Sequence, residues 1–217
     1  MTFGEIKDLI HYGIRGEDAL LGVIPSSVNS AVRDIQARRS WSFMKATLDM
    51  VFTAGTSSVE LGADFKSLQP GHTPVKLEGE YPYSIRVLPT EEAVRRQDQV
   101  RWPYQQQTLF PLSDDFAWLE GTTLNFPRAF TSDVPAKVYV YQYLPKLVDD
   151  DDENYLTTDH PNAVINLAKF KVGQHSSDPE IARMLANWFQ LYDQEIRQAI
   201  REDASKQTTG KSYRMGG

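Results

Sequence analysis

Cysteine is missing from the 217-residue sequence. That absence removes disulfide frameworks, thiolate zinc sites and cysteine nucleophiles together. No apolar run approaches the roughly 20 residues needed to span a bilayer. The opening Met1-Thr2-Phe3-Gly4-Glu5 has neither a basic n-region nor an apolar core, so no secretory signal is visible. Basic residues are outnumbered: 23 Lys and Arg against 29 Asp and Glu give a net charge of −6. That balance argues against a general duplex-binding protein, whose phosphate contacts need clustered cations. It also argues against docking on an anionic membrane. Gly-x-Ser-x-Gly, a P-loop and Gly-x-Gly-x-x-Gly are all lacking. The four histidines (His11, His72, His160 and His175) include no i, i+4 pair of the kind that marks zinc sites. These absences predict a soluble protein made in the cytoplasm, with no metal and no cofactor, and not an enzyme.

What is present is a change of texture along the chain. Phe3, Ile6, Leu9 and Ile10 fall on one helical face. Thr2 can cap that helix, with Glu5 three residues later as in a capping box. Gly13 and Gly16 end it. A second helix is expected after Pro25-Ser26-Ser27, with Val28, Val32 and Ile35 as its apolar stripe, running to about Phe43. It feeds almost directly into an expected hairpin: Thr47 to Thr53, a turn at Ala54-Gly55-Thr56-Ser57-Ser58, then Val59-Glu60-Leu61.

From 47 to 144, Pro and Gly punctuate short β-branched and aromatic runs. Strands are expected at 48–53, 58–61, 75–77, 84–88, 116–119, 123–126 and 136–144. Glu120-Gly121-Thr122 between two of them is a tight hairpin signal. The last run puts Val138, Val140 and Leu144 on one face and Tyr139, Tyr141 and Tyr143 on the other, as in a central strand with both faces covered. One helix interrupts the region at 90–101, with Glu91–Arg95 and Glu92–Arg96 at i, i+4. Helices return near Pro161, with Asp159 nearby as a cap, and at Asp178-Pro179-Glu180. Ile181, Leu185, Trp188, Tyr192, Ile196 and Ile200 form a long apolar stripe, and Trp41 and Trp188 are expected in the core. Residues 205–217 lack periodicity.

The fold class is therefore α+β. The N- and C-terminal segments, 1–46 and 155–204, form a helical bundle. Residues 47–154 form an inserted antiparallel β-sandwich-like domain, and 205–217 a flexible C-terminal arm.

Several stretches together resemble a known family. They are Met1 to Ile10, Arg38 to Phe43, Thr53 to Leu61 and Asp64-Phe65-Lys66. They continue with Leu119-Glu120-Gly121-Thr122-Thr123-Leu124-Asn125-Phe126-Pro127, Tyr141-Gln142-Tyr143-Leu144-Pro145 and Asn154 to Ala168. The pattern resembles the adaptors that join the portal to the tail in tailed bacteriophages, the head-to-tail adaptor or head-completion family. The resemblance implies a structural virion protein: a homo-oligomeric ring of twelve copies beneath the portal, extending the DNA channel in assembly and genome ejection. Implied partners are the portal protein, a tail or nozzle protein, and further copies of the chain. DNA would pass without sequence-specific binding, and no membrane is involved. The implied place is the neck of the virion, with assembly in the host cytoplasm.

Two groups of residues acquire roles under that resemblance. Asp149, Asp150, Asp151, Asp152 and Glu153 read most simply as a solvated loop. They lack the alternating ligands and central Gly of a Ca²⁺ loop. Facing a DNA channel, their charge would repel phosphates and limit sticking. The tail residues Lys206, Lys211, Tyr213, Arg214 and Met215 read either as a frayed end or as an arm that orders on the portal. A reading from another class remains open: Tyr81, Tyr83, Trp102 and Tyr104 could form a sugar-stacking platform in a carbohydrate-binding or wall-degrading module. Aromatics in β regions are more often buried in cores or subunit interfaces.

Overall fold

A computed structural model describes residues 1–15, 17–70, 73–78, 83–100 and 116–212. Helices lie at both ends of the chain and strands in the middle. The order is α1 (Phe3–Gly13), α2 (Ile24–Ala37), β1 (Lys45–Phe52), β2 (Ser58–Glu60), β3 (Phe65–Leu68), β4 (Val75–Leu77) and β5 (Tyr83–Leu88). There follow α3 (Thr90–Val100), β6 (Phe116–Glu120), β7 (Thr123–Asn125), β8 (Val134–Gln142), α4 (Tyr155–Asp159), α5 (Pro161–Gly173) and α6 (Pro179–Ser212). Short 3-10 turns occupy Asp18–Val23 and Ser42–Met44. The chain forms two compact units, Met1–Phe43 with Tyr143–Gly217, and Met44–Gln142.

In the first unit, helices from the two ends of the chain pack on one another, with α5 against α1, α2 and α6. The expected capping box at Thr2 is present: its hydroxyl accepts from the Glu5 amide, and the Glu5 carboxylate accepts from the Thr2 amide. Phe3, Ile6 and Ile10 are buried beneath α1, each side chain contributing roughly 1.5–3 kcal/mol on full burial. Asp178 caps α6 as expected, accepting from the Glu180 amide at 2.7 Å. The apolar stripe of α6 buries Ile181, Trp188, Tyr192 and Ile196. Gly173, the last residue of α5, is a point of close approach. A Cβ there would lie 2.7 Å from Leu185 Cδ2 and 3.0 Å from Trp188.

Two helix expectations need correction. Helix α2 starts at Ile24, with Pro25 in its first turn, and stops at Ala37 rather than near Phe43. Trp41 is buried all the same, its indole N–H donating to the Ile35 carbonyl at 2.9 Å. Asp159 is not the cap of α5. It ends α4, a helix capped by Asn154, whose side chain accepts from the Leu156 and Thr157 amides. Local side-chain hydrogen bonding at Asn154 starts a helix six residues earlier than Pro161 announces. At the other end, α6 carries on through 205–212, so those residues of the expected arm are helical.

An extended strap follows β8 and runs antiparallel to α2. Gln36 Oε1 accepts from the Leu144 amide at 2.6 Å, and Arg33 stacks 3.1 Å above the Tyr143 ring. The Asn29 amide both accepts from Leu147 N and donates to Leu147 O, each at 2.9 Å. Positions 29, 33 and 36 share one helix face. Residues 29–36 rise about 10 Å in a helix, and 144–147 span about 10 Å when extended. The two lengths match.

The second unit is one eight-stranded sheet in the order β1-β8-β4-β5-β6-β7-β2, with β3 also on β8. β8 is central as expected, pairing with β1 on one side and with β3 and β4 on the other. Opposite ends of the strand order meet where Phe52 of β1 touches Phe126, ring centroids 5.1 Å apart, so the sheet curls nearly closed. Its core is set by alternation. Ala46, Leu48, Met50 and Phe52 of β1 face the same apolar cluster as Ala136, Val138 and Val140 of β8. The hairpin β6–β7 forms as expected. Glu120 pairs with Thr123, leaving Gly121 and Thr122 as the turn. Gly121 alone has a positive φ, +61°, which fits a type II′ turn.

The sheet also departs from the expectation. β1 and β2 do not form a hairpin; they pair with β8 and β7 respectively. The 53–57 segment is held by other bonds, Gly55 N to Phe130 O at 2.8 Å and Phe126 N to Ser57 O at 2.8 Å. Nor is the sheet wholly antiparallel: β5 and β6 run parallel. A parallel pair needs a long crossover. Here it carries α3, which buries Ala93 against Leu88, Phe116 and Trp118.

Candidate assembly site

The acidic stretch 149–153 is built onto the start of α1. The first amides of a helix have no partner within it. Here Phe3 N donates to the Asp152 carbonyl and Gly4 N to the Asp150 carbonyl, both at 2.9 Å. A Cβ on Gly4 would approach Asp150 Cβ to 3.2 Å, so the loop lies close against the helix. Lys7 pairs with Asp150, and the amino terminus lies 3.5 Å from Glu153. Asp152 turns inward on its own loop, accepting from Val148 N at 2.6 Å and Asp149 N at 2.9 Å. Those two amides hold its carboxyl below the usual carboxylate range. Asp149, Asp150, Asp151 and Glu153 remain exposed. Among the described residues, no group of three His, Asp or Glu side chains is gathered as for a metal.

A second cluster lies where α4 meets α6. Phe43 stacks on Tyr155 at 4.3 Å and on Trp41 at 5.6 Å. Lys206 donates to the Tyr155 hydroxyl at 2.9 Å, and its ammonium lies 5.5 Å from that ring's centroid. That hydrogen bond raises the Lys206 pKa, whereas partial burial pushes up the Tyr155 phenol. Nearby, Asp203 is 5% exposed. It accepts from the Ser42 amide at 2.8 Å and pairs with Arg39 at 3.3 Å. The α6 end is thereby tied to the residues after α2.

A third feature is an open depression of about 640 Å³ lined by Asp8, His11, Tyr12 and Arg15. Tyr12 is 87% exposed, with Leu9 beside it also exposed. His11 Nε2 sits 3.4 Å from Asp18. Arg15 follows α1 with φ +65°, a left-handed conformation uncommon outside glycine, and pairs with Glu180 of α6.

These surfaces offer contacts rather than chemistry. The model of the SU10 adaptor protein family matches residues 1–214. The chain belongs to that family, a family of phage head-to-tail adaptors. No individual curated protein matches the chain. Membership makes it a structural adaptor protein of a bacteriophage, a component of the virion neck that works beside portal and tail proteins. No described helix is long and apolar enough to cross a membrane.

Against that identity, the sequence-derived candidates fall into place unevenly. Of the five acidic residues, Asp150, Asp152 and Glu153 contact the start of α1, and Asp149 and Asp151 are exposed beside them. Lys206 is placed on Tyr155, and Lys211 lies in the last turn of α6. Tyr213, Arg214 and Met215 lie outside the described residues, as do Tyr81, Trp102, Tyr104, His72 and the side chain of Tyr83. His160 and His175 sit at helix boundaries, as expected. Sequence reading missed Lys7, Gly4, Arg39 and Asp203. Only the helical spacing of Asn29, Arg33 and Gln36 could have hinted at the strap.

Proposed function

We propose that this adaptor assembles as a ring of twelve copies between portal and tail, extending the channel through which DNA leaves the head. The observation that carries this reading is the family match across 1–214. Its mechanism is adhesive and mechanical. The bundle, 1–46 with 155–204, packs against neighbouring copies and the portal. The insert, expected at 47–154 and compact over Met44–Gln142, is read as a sandwich-like lobe turned outward or to the tail or nozzle protein. The acidic loop 149–153 faces the DNA path, where its charge keeps phosphates from adhering. Its attachment to α1 supports this reading, because a fixed loop holds its charges in place. DNA passes without sequence-specific binding, in keeping with the net charge of −6.

The end of the chain, from Lys206 through Lys211 to Tyr213, Arg214 and Met215, docks on the portal. Lys206 already has a partner in Tyr155, so docking competes with that contact. This supports completion of the ring on the portal rather than in free solution. Native mass spectrometry of the protein with purified portal tests the reading. Ring-sized additions to portal oligomers are expected. A chain that never joins portal rings under any condition overturns it.

A further inference from the structure

Helix α6 presents an unusual outer face. At about 100° per residue, Arg183, Asn187, Gln190, Gln194, Arg197 and Arg201 fall within about 40° of one line along the helix. All six are exposed. No carboxylate shares that strip, although the chain as a whole is acidic. Arg197 is paired with Asp193 on the strip's flank. Arg183 and Arg201 have no ion-pair partner among the described residues. A uniformly solvated face of an acidic protein would intersperse both signs.

The outer ridge of α1 is its counterpart. Glu5, Asp8, Leu9 and Tyr12 are exposed on one face of α1. Within the helix that face holds no Lys or Arg, and Arg15 past its end, which borders Asp8 and Tyr12, is paired with Glu180. Tyr12 stands 87% exposed. Tyrosine and arginine are, with tryptophan, enriched among the residues that dominate binding energy at interfaces. The dimensions also agree. Glu5 to Tyr12 and Arg201 to Gln194 are each seven residues, about 10 Å of helix.

We propose that these two faces meet between copies: the α1 ridge of one copy lies along the Gln190, Gln194, Arg197 and Arg201 strip on α6 of the next. Glu5 and Asp8 face Arg197 and Arg201, and Tyr12 covers Gln194 and Gln190. Complementary charge selects a second copy as the occupant, because both halves of the match lie on this chain. Two different faces joined head to tail generate a ring when the rotation closes. The inference rests on the ring reading above and names the contact that builds it.

The chain has no cysteine, so introduced thiols are the only ones. Tyr12→Cys and Gln194→Cys proteins are mixed, assembled on portal rings and oxidised, with far-UV circular dichroism confirming that each variant folds. A covalent dimer that neither variant gives alone is expected, and the double variant should give a ladder extending beyond the dimer. Separately, Arg201→Glu should lower ring occupancy at least tenfold, and adding Asp8→Arg should restore most of it. Complete rings that give no mixed dimer and ignore Arg201→Glu overturn this contact and leave the ring standing. A ladder that stops at the dimer overturns the head-to-tail arrangement. Absence of rings altogether overturns both.

Discussion

The two units are held in different ways. In the sheet unit, cohesion comes from cross-strand apolar pairs such as Leu48 with Val138 and Met50 with Ala136, and from Phe52, Phe126 and Phe130, whose rings lie 4.9–5.2 Å apart. Polar side-chain contacts sit mainly at its surface: Glu60 with Thr122 and Thr123, Lys137 with Glu78, Ala54 N with Asp133. Gln69 is an exception, its amide donating to both the Ala46 and Val140 carbonyls. The helical unit adds a set of specific polar clamps to its apolar core: Asn29 on Leu147, Gln36 on Leu144, Asp203 on Ser42 and Arg39. They lie where the chain leaves the unit and where it returns. Alternation alone can register a sheet, because a one-residue slip turns every side chain over. Helices that reunite after a hundred-residue excursion have no such rule, and the clamps supply the address.

The largest test of this contrast is Phe52→Ala. Phe52 is fully buried and joins the two ends of the strand order. The substitution should cost about 3–5 kcal/mol by urea unfolding, the range for large aromatic truncations. A cost below about 1 kcal/mol would mean that the three phenylalanines do not close the sheet.

The next test sets one buried pair against one exposed pair. Asp203→Ala leaves the Ser42 amide without its acceptor and removes one partner of the Arg39 guanidinium, which keeps the Ile200 carbonyl at 3.4 Å. Arg39 is partly exposed and can turn to water, so we expect about 2 kcal/mol rather than the full penalty for a broken buried pair. Lys137→Ala breaks an ion pair of 2.6 Å with Glu78, yet both groups are well solvated, and no measurable change in stability is expected. Equal losses at the two sites would erase the distinction between clamps and surface pairs.

Legibility in the sequence follows the same divide. The Thr2 capping box, the Asp178-Pro179 start of α6, the apolar stripe of α6 and the Gly121 turn are local, and each could be read directly. The pairing of β1 with β8 is not local. Thr53 to Leu61 has every feature of a hairpin, but the apolar face of β1 finds a longer partner 82–94 residues away. β3 escapes notice because Phe65-Lys66-Ser67-Leu68 does not alternate and carries a bulge between Phe65 and Ser67 in its pairing with β8. The parallel β5–β6 pair was hidden because nothing in either strand announces direction. Helix α2 ends without a Gly or Pro signal, since the Trp41 indole supplies the stop by binding the Ile35 carbonyl. In the candidate site, composition revealed the acidic run, but its attachment depends on two free amides of α1, 146–149 residues earlier in the chain.

The smallest expected effect is at that attachment. Asp152 accepts from the Val148 and Asp149 amides, which favour its charged form. Its folded-state pKa is therefore lower than its ordinary value of 3.8. A depressed carboxyl contributes stability that is present above the ordinary value and disappears as pH falls through the folded value. Glu60 in the sheet unit behaves in the same direction, lowered by the Thr122 and Thr123 hydroxyls. Both units should therefore loosen locally in acid, the loop of the helical unit at Asp152 and the turn of the sheet unit at Glu60. In an NMR pH titration, the amide protons of Val148 and Asp149 should shift together with an inflection below 3.8. Asp152→Asn should abolish that inflection while leaving the one at Thr122 and Thr123 in place. An inflection at or above the ordinary value would mean that Asp152 faces water rather than the Val148 and Asp149 amides.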